Sequence, residues 1–335
     1  MKAAVLQELG EPLVVKELII PKLSFGQVLV RIHASGICGA QMNEISGACG
    51  KDKYLPHLLG HEGGGVVVEV GPGVCTVTPR DHVVLHWRKG TGMESSPPVY
   101  MDLEGAPVGA GWVTTFSDYS VVSENRVTKI DDDIPFEVAA LMGCAVTTGL
   151  GLINNEAELK MGQSIMVAGC GGVGLNVIQG ARLVGANPII AVDVLSSKLE
   201  MAESFGATEC VLCDNDLDFK SLDPVDVFVD CTGNVGVIAA GYSLAKKTIL
   251  VGQPRHDQDL VFPEMRSNYC GKILMDSQGG LTDPARDIPR YLGLYKAGRL
   301  NLDELITDRF PLDQVNEAMD RAYSGKANRV ILEMK

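Results

Sequence analysis

The chain is short of positive charge: 29 lysines and arginines face 42 aspartates and glutamates, a formal net charge of −13. A protein that holds nucleic acid or an anionic membrane presents a basic face, so neither partner is expected. No apolar run approaches the length of a membrane-spanning helix, and the start, MKAAVLQELGEP, lacks the apolar core of a signal peptide. Disulfide spacing is missing too. The nine cysteines, an odd number, are scattered without a framework, which fits reduced thiols in a cytoplasm. Any one of them would ordinarily be core filler. What is present is 46% hydrophobic and 21% charged, the composition of a soluble globular protein. A chain of 335 residues is longer than one core usually serves, so two domains are expected.

Segment rhythm changes along the chain. Up to about residue 130 short strands alternate with glycine or proline turns. MKAAVLQELGEPLVVKELIIP reads as a hairpin turning at Gly10 to Pro12. QVLVRIHA places Val28, Val30 and Ile32 on one face. From about Thr147 strands alternate with helices: SIMVAG, a helix bearing Val173, Val177, Ala181 and Val184, then PIIAVD. A helix over 196–205 follows, and VDVFVDCTG, TILVG and KILMDS are further strands. Such alternation predicts a parallel sheet covered by helices. Two helical stretches, around 285–298 and 312–325, and a last strand, RVILEM, close the chain.

VAGCGGVG carries Gly169, Gly171 and Gly174 in dinucleotide spacing, directly after a strand and opening a helix that begins at Gly172 and Val173. The first glycine permits the tight turn, the second lets backbone approach a pyrophosphate, and the third lets helix and strand pack closely. The helix N-terminus adds free N–H groups and a partial positive charge. Asp193 ends the next strand about 20 residues on, where a carboxylate accepts hydrogen bonds from ribose hydroxyls. Residues 194–197 offer no arginine for a 2′-phosphate, so NAD is expected rather than NADP.

GICGAQMNE places Cys38 between glycines, LLGHEGGG opens a strand with His61 and Glu62, and LMGCAVTTG places Cys144 beside a glycine. Singly, each has an ordinary structural use. Together two cysteines and a histidine are the ligand types of a catalytic zinc site with one open position. The order GICG, GHEGGGVVVEVGPGV, DHVV, ENRVTKI, GCAVTTG, VAGCGGVG and SGKANRVIL resembles the zinc-dependent alcohol dehydrogenase branch of the medium-chain dehydrogenase/reductases, sorbitol- and threonine-dehydrogenase-like, over nearly the whole chain.

The resemblance implies an α/β architecture. A GroES-like β-rich catalytic domain (residues 1–146 and 279–335) packs on a Rossmann domain with a doubly wound parallel sheet (residues 147–278), the active site lying in the cleft. It implies one catalytic Zn2+ per subunit on Cys38, His61 and Cys144, with Glu62 beside the metal and able to ligate it. Lys198 is implied near the adenine ribose and Arg329 at the cofactor pyrophosphate, although a salt bridge competes for both. The implied reaction is hydride transfer between NAD and a small-molecule alcohol or carbonyl, with zinc as Lewis acid. Homodimers or homotetramers are implied as well.

Two places depart from that pattern. HWRKGTGMESSPPVYMDLEGAPVGAG contains no cysteine where many relatives bind a structural zinc with four. Ala40 and Asn43 stand where relatives usually carry a relay hydroxyl and often a histidine. Alanine relays no proton and asparagine does not titrate, so Asn43 is a candidate only for holding substrate. The gap points to a secondary alcohol on a polyol, sugar or amino-sugar, whose neighbouring hydroxyl or amine would fill it. Alternatives are a zinc-free quinone or enone reductase of this fold and a non-catalytic dinucleotide-binding protein. His57, Arg88 and Lys89 are secondary candidates, for lining the pocket or holding an anionic group. His33 and His82 read as structural, and Trp87 and Trp112 as cleft wall or interface.

Overall fold

The computed structural model describes residues 1–48, 50–213, 222–262 and 271–335. It divides into two compact units, Met1–Cys144 with Asp283–Lys335, and Ala145–Thr282.

In the first unit, β1 (Lys2–Leu6) and β2 (Val14–Ile19) form the expected antiparallel hairpin. They join β4 (His57–Leu58), β7 (Val99–Asp102) and β8 (Pro107–Gly109) in a small closed barrel. The cysteine-free segment therefore supplies the β7–β8 hairpin. A larger sheet runs β10 (Val127–Ile130), β6 (His82–His86), β5 (Glu62–Val70), β3 (Gln27–Ile37), β18 (Arg329–Glu333), β17 (Ile306–Pro311), and β9 (Tyr119–Ser123) also pairs with β3. Val28, Val30 and Ile32 are buried on one face, and Leu29 is buried on the other, against the barrel core. Both faces of β3 are covered, so its alternation is weaker than that of a half-exposed strand.

Four α-helices belong to this unit among the described residues: α1 (Gly39–Ile45), α2 (Phe136–Met142), α7 (Pro284–Lys296) and α8 (Val315–Tyr323), the last of which packs on β17 and β18. α2 lies on β5 at closest range. A Cβ on Gly64 would stand 2.3 Å from the Phe136 carbonyl oxygen, so the glycine run after His61 is what admits the helix. Phe136 at its start stacks on the His33 ring at 4.3 Å and lies tilted against His82 at 4.8 Å, which gives both histidines a packing role.

Among the described residues the second unit holds a six-stranded parallel sheet. Its order is β13 (Glu209–Leu212), β12 (Ile189–Asp193), β11 (Ile165–Ala168), β14 (Val225–Asp230), β15 (Ala245–Leu250), β16 (Ile273–Asp276). Every residue of β11 is buried, as expected for a central parallel strand covered on both faces. Helices α4 (Gly172–Val184), α5 (Ser196–Phe205) and α6 (Val235–Leu244) make the crossovers, after a buried α3 (Ala145–Gly151). The chain leaves β11 in one direction and β14 in the other, and dinucleotides bind at such a reversal of strand order. No single helix among the described residues is long and apolar enough to cross a membrane.

Candidate active site and metal centre

Cys38 follows the last residue of β3 and caps α1. Its backbone N–H donates to Oε1 of Gln41, three residues on, at 3.0 Å, half of a capping box with cysteine in the serine position. His61 lies immediately before β5. Cys144 lies just past the end of α2, where Gly143 does for the helix end what Gly64 does for its start. A Cβ on Gly143 would meet the Leu85 carbonyl oxygen at 2.4 Å and the Glu62 Cα at 2.7 Å. The flanking glycines are thus the means by which a cysteine at a helix end is brought onto the sheet.

The ligand atoms of Cys38, His61 and Cys144 all lie within 4.8 Å of one another. The neighbouring Cys144 first, then His61 and the Arg329 guanidinium, hold the Cys38 thiol well below the ordinary thiol range, against the opposing effect of burial. His61 Nδ1 is in contact with Gln41 Nε2, and the ring's other nitrogen, Nε2, is buried with no hydrogen-bond partner. Two sulfurs, one of them an acidified thiol, and an imidazole nitrogen left over for a metal fit zinc in a three-ligand site.

Glu62 stands apart from that group. Its carboxylate, fully buried, meets the guanidinium of Arg329, itself 4% exposed. The sheet order explains the pairing. Glu62 is on β5 and Arg329 on β18, with β3 between them. Gly36 on β3 leaves the room: a Cβ there would stand 2.4 Å from Glu62 Oε1 and 2.8 Å from Arg329 Nη2. Ser35 and Thr115 hydroxyls both donate to the Glu62 carbonyl, at 3.0 and 3.2 Å, and fix the backbone beside His61. The structure therefore joins Glu62 to Arg329, where sequence reasoning placed one at the metal and the other at the cofactor. Burial pulls the Arg329 guanidinium below its ordinary range, and Cys38 pushes it back up.

Ala40 and Asn43 are half-buried on α1. A second constellation in this unit was missed in the sequence: Glu44 on α1, Asp52 and His57, with ligand-type atoms also within 4.8 Å of one another. His57 is buried. Its Nδ1 lies 2.9 Å from the Leu58 carbonyl, and its Nε2 is 2.8 Å from Asp52 and 3.8 Å from Glu44. Burial raises the Glu44 carboxyl, while His57 and, further off, His61 lower it. The acids sit in an unpatterned loop and on a short helix, so no periodicity announces them.

In the second unit the fingerprint glycines behave differently from one another. Gly169 has φ +91°, open to few other residues. A Cβ on Gly174 would fall 1.9 Å from the Gly169 carbonyl oxygen, so helix and turn touch there. A Cβ on Gly171 would meet nothing within 4 Å, which leaves that backbone open to a ligand. Gly172 and Val173 are the first residues of α4. The Asp193 carboxylate at the end of β12 accepts N–H bonds from Cys170 at 2.7 Å and Leu195 at 3.0 Å, which tie it to the glycine turn. Lys198 is buried in the first turn of α5. A strand, glycine turn, helix N-terminus and strand-end carboxylate in this arrangement suit a dinucleotide.

Comparison with known proteins agrees with both units. Residues 24–132 match the alcohol dehydrogenase GroES-like domain, and residues 172–284 match the zinc-binding dehydrogenase family. S-(hydroxymethyl)glutathione dehydrogenase of Paracoccus denitrificans is 32% identical over 99% of both chains. The chain belongs to the zinc-dependent alcohol dehydrogenases. A class-3 alcohol dehydrogenase of Cereibacter sphaeroides is likewise 32% identical over 99% of each chain. Among solved structures, benzyl alcohol dehydrogenase from Acinetobacter calcoaceticus superposes with a TM-score of 0.90 at 26% identity, covering 100% of this chain and 99% of that one. This zinc alcohol dehydrogenase uses NAD and zinc, as its family does. Of its secondary candidates, Lys89 is paired with Glu94, and Arg88 lies over the Trp87 ring at 5.8 Å. Trp112 carries Arg126 at 5.4 Å from its ring.

Proposed function

We infer that this zinc- and NAD-dependent dehydrogenase interconverts a secondary alcohol and its ketone on a polyol, sugar or amino-sugar-like substrate, in the cytoplasm, as a homodimer or homotetramer. Zinc held by Cys38, His61 and Cys144 supplies the Lewis acidity that lets an alcohol lose its proton near neutral pH. The observation that carries the substrate class is Ala40, two residues after a zinc ligand, where no side-chain oxygen is available to take that proton. Gln41 cannot substitute, because its amide is committed to Cys38 and His61. A hydroxyl or amine on the carbon next to the reacting one supplies what alanine lacks, and Asn43 is the remaining amide on α1 able to hold it. The Glu44 and Asp52 carboxylates offer acceptors in the same unit for further hydroxyl or ammonium groups. The assembled thiols and imidazole weigh against the zinc-free reductase reading.

The test is kcat/KM with NAD for vicinal diols, cyclitols, sugars and amino-sugars against cyclohexanol, benzyl alcohol and S-(hydroxymethyl)glutathione. The best polyol is expected to exceed matched mono-alcohols by about 10²-fold, the contribution of one positioned proton partner. Ala40→Ser should improve the mono-alcohols selectively. Equal rates for cyclohexanol and the best polyol in the wild type would sink the proposal.

A further inference from the structure

Gln41 is 2% exposed and touches two zinc ligands at once. Its Oε1 accepts the Cys38 backbone N–H at 3.0 Å, and its Nε2 faces His61 Nδ1. His61 Nε2 is the nitrogen buried without a hydrogen-bond partner, and so the one available to zinc. When Nε2 gives its lone pair to a metal, the neutral ring's single proton sits on Nδ1, which then needs an acceptor. The amide as placed presents a donor there. Turned over, it offers Oε1 to the imidazole and its NH2 to the Cys38 N–H. In either orientation one N–H faces another, because a single oxygen serves two donors on opposite sides of the amide. A carboxylate has an oxygen for each.

We propose that Gln41 is a positioning residue that keeps the zinc of this dehydrogenase weakly held, because its one amide oxygen cannot serve both the His61 ring and the Cys38 backbone. The conflict arises only with metal bound. Without it, the ring takes the other tautomer and Nδ1 accepts from the Gln41 amide, so both ends of the amide are matched. The mismatch thus acts on zinc retention and leaves the empty fold alone. The inference rests on zinc being held by His61 through Nε2.

The experiment follows zinc release from the holoenzyme to the chelator 4-(2-pyridylazo)resorcinol, with zinc content measured beforehand. Gln41→Glu is expected to slow release about 10-fold, within the range that groups behind a metal's ligands contribute. Gln41→Ala, with no acceptor at all, should speed it. Glutamate is a favoured residue at this capping position, so α1 should form as before. Gly39→Glu controls for bulk charge, since position 39 is exposed and a Cβ there meets nothing within 4 Å. Equal release from wild type and Gln41→Glu overturns the proposal, and so does an equal slowing by Gly39→Glu. Should Gln41→Glu not fold, release from Gln41→Ala no faster than wild type overturns it. Wild-type protein purified without zinc overturns the zinc assignment itself, and the proposal with it.

Discussion

His86 shows how a single buried side chain sets a pH limit. It ends β6, 1% exposed, with Nδ1 2.7 Å from the Arg88 carbonyl and Nε2 2.9 Å from the Thr128 hydroxyl. A carbonyl only accepts, so Nδ1 carries the proton and Nε2 accepts from Thr128, which is the neutral ring. Burial, the largest influence, with Arg126 nearby, pushes the imidazole down from 6.5 to about 4. Between those values the unfolded chain binds a proton that the folded chain refuses. The stability His86 contributes is therefore complete above pH 6.5 and lost as pH falls toward 4. The shift amounts to about 3 kcal/mol. Replacing His86 by Asn should lower stability at pH 7 and flatten its fall in acid. Urea unfolding of both proteins at pH 7, 5.5 and 4.5 measures this. Curves that stay parallel across the three values would rule out the buried neutral ring.

At the scale of elements, the glycine turn between β11 and α4 separates packing from binding. Gly174→Ala forces a Cβ to within 1.9 Å of a backbone oxygen that cannot yield, and should destabilise the second unit by roughly 1–3 kcal/mol. Gly171→Ala places its methyl in open space at an ordinary φ of −80°, so the thermal midpoint should hold. NAD affinity should nonetheless fall roughly 10-fold or more, since about 1.4 kcal/mol of lost phosphate contact is a factor of ten. Calorimetry for stability and titration with NAD for binding give both readouts. Unchanged NAD affinity in Gly171→Ala would remove that turn from the binding site. This turn was legible in the sequence because its signals are local: strand, three glycines, helix and carboxylate lie within one stretch. The same holds for α5, whose bounds the pattern gave to the residue. Elements made by contacts far along the chain were not legible. α2 is seven residues long, too short for a periodicity to register, and β7–β8 becomes a hairpin only by closing a barrel. Likewise Glu62 and Arg329 were each noticed, but their meeting depends on sheet order across Gly36, which no local pattern states.

For the whole molecule, assembly turns on the edge of the second unit's sheet. Among the described residues β16 is its last strand, paired with β15 on one side, and Ile273 and Leu274 on it are 48% and 39% exposed. An apolar edge with unpaired N–H and C=O groups invites another strand, and proteins that stay monomeric blunt such edges with lysine, proline or bulges. Within β16, Ile273–Asp276, there is no lysine or proline, and the strand's one charge is the closing aspartate. The opposite edge, β13, opens with Glu209 and is otherwise exposed or half-exposed, but it is joined in register to β12 near the dinucleotide turn, where a partner would crowd Asp193. The β16 edge carries no such cost, and two copies related by a two-fold axis satisfy it symmetrically, each strand pairing with itself. Wild-type protein is accordingly expected to run as a dimer, or a dimer of dimers, in light scattering at micromolar concentration. Leu274→Lys adds a charge to that edge and should shift the mass toward the monomer, with NAD binding retained because the glycine turn lies on other strands. A wild type that is monomeric throughout the concentration range would refute pairing through β16. A dimer that Leu274→Lys leaves intact would move the interface elsewhere.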